Sequence, residues 1–271
     1  MTGQIALDRP PVRVERPEAG VAVLFLDRPQ QRNSLSVAML AALHGEFTRL
    51  GADGGVAAIV LAAEGPAFCA GHDLKELTAH RADPDGGRIF FAETMTRCAE
   101  LMQAIVMCPK PVIAAVHGVA TAAGCQLVAT CDLAVAEEDS RFATPGVNIG
   151  LFCSTPMVAL ARNVPRKRAM EMLLLGEMIG AAEAAEYGLV NRVVAKDQAY
   201  AAALEMARVI ASKSPLTVSI GKRAFYDQIE MPLGRAYDYA AQVMVENMLK
   251  ADAAEGIGAF LEKRSPTWKG C

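Results

Sequence analysis

Two short segments hold residues whose types and spacing suit carbonyl chemistry. In Phe68-Cys69-Ala70-Gly71-His72-Asp73-Leu74 a buried strand runs into a small-residue turn and opens a short helix. Val116-His117-Gly118-Val119-Ala120-Thr121-Ala122-Ala123-Gly124-Cys125-Gln126 repeats that design. Small residues at such turns let the backbone approach a ligand closely. N–H groups at a helix start have no intrahelical acceptor and carry partial positive charge. Two such turns side by side place two N–H donors around one oxygen, an oxyanion hole, in which one donor is worth about 3–4 kcal/mol of transition-state stabilisation. On pattern alone, the same segments serve equally as two tight strand–helix turns packed in a core.

Other signatures fail. There is no G-x-x-x-x-G-K-[ST] phosphate loop, no G-x-G-x-x-G after a strand, no G-x-S-x-G elbow and no H-E-x-x-H. His44, His80 and His117 lack a neighbouring Asp or Cys pattern and read as surface or satisfied core residues. The seven cysteines, at 69, 98, 108, 125, 131, 153 and 271, are odd in number and form no C-x-x-C pair. Reduced thiols and a cytoplasmic location are expected, with no metal, flavin or nicotinamide site.

The elements that must position the two turns follow from periodicity. Val12–Glu15 and Val21–Leu26 predict an opening hairpin, and Ser36 caps a helix over Val37–Leu50. Val56–Ala63, Val112–Val116 and Leu133–Ala136 read as buried strands, with Val190–Val194 a further short one. Helical patterns cover Arg88–Met107, closed by Pro109, then Thr121–Thr130, Arg166–Leu175 and Ala181–Tyr187. Four more follow at Gln198–Ser212, Leu216–Ile229, Leu233–Lys250 and Asp252–Arg264. Glu137, Glu138 and Asp139 follow a strand end and are expected in solvent.

Composition bounds the function. The chain has 271 residues, 52% hydrophobic and 21% charged, which suits a large core. With 27 Lys+Arg against 30 Asp+Glu, a net charge of −3 and no basic block, it is not an electrostatic nucleic-acid binder. Residues 111–131 carry no Asp, Glu, Lys or Arg, but His117, Gly118, Thr121, Gly124 and Gln126 break them into strand, turn and helix, so no membrane insertion is expected. Met1–Pro17 is too charged for a signal peptide.

Ordered motifs along nearly the whole chain resemble the crotonase (enoyl-CoA hydratase/isomerase) superfamily. They are Asp27-Arg28-Pro29 with Asn33-Ser34-Leu35, Ala70-Gly71-His72-Asp73-Leu74-Lys75-Glu76, Lys110 to Gly118, and Gly124-Cys125-Gln126-Leu127. Cys131-Asp132, Phe142-Ala143-Thr144-Pro145, Ala184 with Gly188-Leu189-Val190, and Phe260-Leu261-Glu262-Lys263-Arg264 complete the set. Gly146 to Pro156 is similar to the enoyl-CoA hydratase domain-containing protein 3 group within it.

The resemblance implies an α/β fold: a crotonase-like spiral of ββα units over residues 1–195 with the acyl-CoA site. A helical region over 196–271 then forms a homotrimer or dimer of trimers and lids the site. It implies an acyl-CoA thioester as ligand, coenzyme A entering as part of the substrate, and a place in fatty acid metabolism. The thioester oxygen maps between the N–H groups of His72 and Ala123. Arg28, Lys75 and Lys263 match positions that contact coenzyme A. Ala70, Gly71, Asp73, Leu74, Gly124, Thr144, Gly146 and Phe260 fall in the matching binding segments, with Asp73 expected to cap its loop. The two glutamates with which hydratases of the family add water correspond to Gln126 and Gly146. An amide can neither take a proton from water nor return one, and glycine has no side chain. Ordinary hydratase turnover through that pair is therefore not expected. His72 is an alternative acid/base, and Thr144, Cys153, Ser154 and Thr155 lie near the second position without a base. Two readings follow: an enolate-stabilising lyase or isomerase on acyl-CoA, or a non-catalytic acyl-CoA binder or regulatory homologue. The apolar C-terminal helices, with Phe225, Tyr226, Met231, Tyr237 and Tyr239, are expected in the core or a subunit interface.

Overall fold

The structure is a computed structural model that describes residues 10–271, so the reading of Met1–Arg9 lies outside the described residues. Strands β1 (Val12–Glu18) and β2 (Gly20–Leu26) form the expected antiparallel hairpin, Val12 opposite Leu26. Helix α1 (Val37–Ala52) starts at Ser36, whose hydroxyl accepts from the Met39 amide at 3.2 Å. Its buried residues Met39, Leu40, Leu43, Phe47 and Leu50 recur at helical spacing and face the sheet. Then come β3 (Val56–Ala63), α2 (Leu74–Ala79), α3 (Arg88–Met107) and β4 (Val112–Val116).

The spiral proper follows as β5 (Val119–Thr121), α4 (Ala123–Thr130), β6 (Leu133–Glu137) and β7 (Arg141–Ala143), with a 3-10 turn over Pro145–Ile149. Next are α5 (Pro156–Asn163), α6 (Arg166–Leu175), β8 (Ile179–Gly180), α7 (Ala181–Glu186) and β9 (Arg192–Val194). The chain continues through α8 (Ala199–Ala211), α9 (Pro215–Gln228), α10 (Leu233–Met248) and α11 (Ala251–Leu261). Six strands form one sheet in the order β1-β2-β3-β4-β6-β9, parallel beyond the hairpin, and β5-β7-β8 form a second. The successive pairs β4–β5 and β6–β7 each step from the first sheet to the second, which winds the chain into a spiral.

One core lies between the two sheets and α1, α3 and α4. A second lies on the other face of the large sheet, where Ala199, Ala203 and Ala207 of α8 pack on Val23, Val60 and Ile113. Alanines four apart let that helix sit close to the strands. Helix α9 is fastened to the first core by Asp132. Its carboxylate accepts from Lys222 Nζ at 2.7 Å, the Tyr226 hydroxyl at 2.9 Å and the Val112 amide at 2.7 Å. That network explains the Cys131-Asp132 motif as structural.

Several expectations change. The helix expected from Thr121 begins at Ala123, because Thr121 is spent in β5, where its amide donates to Cys69 O at 3.0 Å. Glu137 is buried at the end of β6 rather than in solvent, since β9 pairs alongside it. Residues 111–131 are β4, β5 and α4, and among the described residues no helix is long and apolar enough to cross a membrane.

Candidate active site

The two turns meet through their main chains. Asn33, fully buried, sews the first one down: its Oδ1 accepts from Arg28 N at 2.8 Å, and its Nδ2 donates to Glu64 O at 2.8 Å and Ala67 O at 2.9 Å. Cys69 N donates to Val119 O at 3.1 Å, and the Thr121 hydroxyl donates to Ala70 O at 3.2 Å, so β5 and the first turn are stitched together. Gly71 has φ +89°, and a Cβ placed on it would lie 3.0 Å from Ala122 Cβ and 3.3 Å from Ala123 N. A Cβ on Gly124 would lie 2.1 Å from Cys69 O. Only glycine permits either approach.

The amides that flank this contact are unspent. Leu35 N donates to Gly71 O at 2.7 Å in a parallel bridge between Leu35 and His72, and this pairing turns the His72 N–H away from Leu35. Ala123 opens α4, and the first bond closing that helix is Gln126 N to Ala122 O at 3.0 Å. Among the described residues, neither the His72 nor the Ala123 amide donates to a protein carbonyl. Ala122 carries the turn at φ 50° and ψ −119°, a backbone normally left to glycine.

The first turn carries both a histidine and two capping carboxylates, and the second carries neutral side chains. His72 Nδ1 faces Leu35 O at 3.4 Å, its Nε2 is buried without a partner, and burial holds the ring below the usual histidine range. Asp73 caps α2, accepting from Lys75 N at 3.0 Å and Glu76 N at 3.2 Å. Glu76 reaches back to cap α1, accepting from Val37 N at 2.9 Å. Gln126 is buried on α4, its Oε1 3.9 Å from the Cys98 thiol, which burial pushes up to about 11. Thr144 is 1% exposed and its hydroxyl has no protein partner. A Cβ on Gly146 would meet Leu151 O at 2.7 Å and Cys153 Sγ at 2.9 Å, so the Leu151–Cys153 turn occupies the space of a side chain there. Burial raises the Cys153 thiol as well.

Gly71 thus stands against Ala123 and Cys69 against Gly124, with Ala70, His72 and Asp73 in the same turn as Gly71 and Gln126 one helical turn further along α4. Thr144 follows Ala143, the β7 partner of Thr121, which sets it beside Ala122. Leu74 and Lys75 lie exposed on the first turn of α2. Arg28 Nη1 donates to Pro10 O at 3.2 Å and Asp27 O at 2.9 Å, beside the Asn33 anchor. Phe260, 82% exposed, and Lys263 stand at the far end of α11, which packs on α9 and α10. Sequence reasoning missed the anchor role of Asn33, the Cys98–Gln126 contact and the turn that fills the Gly146 space. For Cys98 a signal existed, since it falls in the α3 stripe Thr94, Cys98, Leu101, Met102 and Ile105.

Comparison with known proteins places the chain. The profile of the family described as enoyl-CoA hydratase/isomerase matches residues 16–271. The chain is 48% identical over 253 residues to the mitochondrial enoyl-CoA hydratase domain-containing protein 3 of Rattus norvegicus, covering 93% of this chain and 83% of that one. The solved enoyl-CoA hydratase of Mycobacterium smegmatis superposes with a TM-score of 0.91 at 53% identity, covering 96% of this chain and 99% of that one. Human enoyl-CoA hydratase domain-containing protein 3 superposes with a TM-score of 0.90 at 48% identity, covering 95% and 100%. The expected crotonase-like α/β spiral is therefore the fold. The expected cytoplasmic location is corrected by the rat relative, a mitochondrial protein. Scattered thiols distinguish reducing from oxidising surroundings and cannot tell one reducing compartment from another. From a sequence match over 256 of its residues and agreement with solved structures over nearly its whole length, the chain belongs to the enoyl-CoA hydratase/isomerase family.

Proposed function

We propose that this chain is an acyl-CoA-thioester enzyme of the lyase/isomerase class that stabilises a thioester enolate between the N–H groups of His72 and Ala123. The carrying observation is the 3.3 Å approach of the Gly71 Cβ position to Ala123 N, with both neighbouring amides unspent. Preorganised main-chain donors of this kind need no reorganisation as charge develops on the thioester oxygen. Gln126 and Gly146 stand at the positions of the family's two catalytic glutamates, so hydration through a carboxylate pair is not its reaction. Arg28, Lys75 and Lys263 hold the coenzyme A moiety, and Phe260 closes over it. The described part of residues 1–195 forms the spiral with the site. Residues 196–271 build a homotrimer or dimer of trimers, a reading supported by the exposure of Leu233 (76%), Leu249 (75%) and Phe260 (82%). A groove of about 300 Å³ between α9 and α10, lined by Ile220, Phe225 and Met244 among others, adds to that surface.

The test is a panel of enoyl-, 3-hydroxyacyl- and malonyl-type CoA esters, with turnover and calorimetric binding measured on the purified chain. Failure of every CoA ester to bind removes the proposal. One observation favours a second reading, a non-catalytic acyl-CoA binder or regulator: main chain at Leu151 occupies the space of a side chain at Gly146. Binding without turnover on the whole panel selects it.

A further inference from the structure

Resting on the acyl-CoA reading, the path of the chain after α11 extends the machinery well beyond the two turns. We propose that residues 264–271, returning along α11, fix the backbone of Lys263, so that Glu255 and Trp268 are positioning residues for the grip on the coenzyme A moiety.

Asp252, Glu255, Gly256 and Ala259 stand three or four positions apart and so form one stripe of α11. The chain bends at Lys263 and comes back along that stripe. Arg264 N donates to Ala259 O at 3.0 Å, and the Arg264 guanidinium grips the Glu255 carboxylate through two bonds of 2.7 and 2.9 Å. This pairing holds the Glu255 carboxyl down at about 2. Thr267 N donates to the same carboxylate at 2.8 Å. A Cβ on Gly256 would lie 3.1 Å from the Trp268 ring, so the indole covers that glycine. Trp268 Nε1 reaches the end of α8, donating to Ser212 O at 2.9 Å. Lys269 N at 2.7 Å and Gly270 N at 3.1 Å donate to Asp252, which is 2% exposed. Asp252 also accepts from the hydroxyl of Ser214, the cap of α9, at 2.6 Å. The returning segment therefore splints α11 along its length and ties it to α8 and α9.

Lys263 stands at the bend with φ 54°, one residue past the C-cap of α11. That left-handed backbone usually falls to glycine or asparagine. A lysine keeps it because the bonds of the returning segment fix the chain on its C-terminal side. Glu255 and Glu262 both pair with Arg264, and among the described residues Lys263 makes no ion pair. Its ammonium is left for an anion from outside the chain, and the phosphates of coenzyme A supply one. Loosening the splint lets Lys263 relax to right-handed backbone, which redirects its side chain and loses the grip without removing the charge.

The test is calorimetry of the purified full chain with butyryl-CoA. It compares the parent with Trp268→Ala, Glu255→Gln and Lys263→Ala, and with each of the first two combined with the third. Each single variant is expected to weaken binding at least fivefold, with an unaltered circular dichroism spectrum. Each combination is expected to bind as Lys263→Ala does alone, because the effect passes through that lysine. Folded Trp268→Ala and Glu255→Gln proteins that bind as tightly as the parent confine the splint to stability and overturn the proposal. Losses that add in full to that of Lys263→Ala overturn it too, as does parental affinity in Lys263→Ala. All three outcomes leave the acyl-CoA reading standing. Failure of the parent to bind butyryl-CoA removes both.

Discussion

Gly124 approaches Cys69 so closely that a side-chain carbon on it would stand 2.1 Å from the Cys69 carbonyl oxygen. That contact holds the start of α4 against the first turn, and it makes the separation of the two turns sensitive to a single methyl group. Gly124→Ala is expected to push the turns apart, lower stability by about 3 kcal/mol and weaken acyl-CoA binding at least tenfold. Urea denaturation and calorimetry measure the two effects. A variant of full stability that binds as tightly as the parent would show that the turns do not set the site.

The Asp132 network predicts a second, purely structural effect. Its Lys222 and Asp132 side chains are 6% and 15% exposed, and the carboxylate also accepts from Tyr226 and from the Val112 amide. Asp132→Ala strands a buried ammonium and is expected to cost about 3–5 kcal/mol. Asp132→Ala with Lys222→Met removes both charges and should recover part of that loss. Chemical denaturation of the two variants gives the comparison.

Ala122 carries a methyl group at φ 50° and ψ −119°. Relief of that strain by Ala122→Gly is expected to raise stability by about 1 kcal/mol, the strain released exceeding the extra freedom of the unfolded chain. A rise in melting temperature with no change in the circular dichroism spectrum is the expected readout.

Placing a working carboxylate at position 146 is expected to fail. Gly146→Glu drives its Cβ to 2.7 Å from Leu151 O, a main-chain atom. Even with Gln126→Glu, the pair should yield no hydration of crotonyl-CoA and a destabilised protein. Cys153→Ala removes the 2.9 Å thiol contact but leaves the carbonyl, so it should not rescue the double variant. Hydration by the double variant at native stability would contradict this reading.

His72 sets a pH dependence. Burial lowers its folded pKa below the ordinary 6.5, so in acid the unfolded chain takes up a proton that the folded chain resists. The resulting contribution to stability is present above pH 6.5 and is lost as the pH falls below it. His72→Gln is expected to flatten that part of the profile. Urea midpoints across this range for both proteins decide it.

The long elements were legible because each is periodic or β-rich over many residues and bounded by a stop. Val56–Ala63, Arg88–Met107 and Val112–Val116 emerge with the ends read from the sequence. Three-residue strands such as β5 and β7 carry no period of their own. They exist because Val119 pairs with Arg141, and Cys69 with Ala120, across long sequence separations. The two turns of the site were visible through their small residues. The filling of the Gly146 space was not, since it depends on how the turn at Leu151–Cys153 folds back. Nor was the orientation of Gln126, which depends on a thiol 28 positions earlier on another helix.

The fold-back at Leu151–Cys153 also governs how this chain can change over generations. With a carbonyl 2.7 Å from the place of a β-carbon on residue 146, every single exchange there is a steric loss before it can be a chemical gain. The loop must relocate first and the residue follow. While the loop holds its place, residue 146 has no room for a carboxylate, whatever side chain stands at position 126.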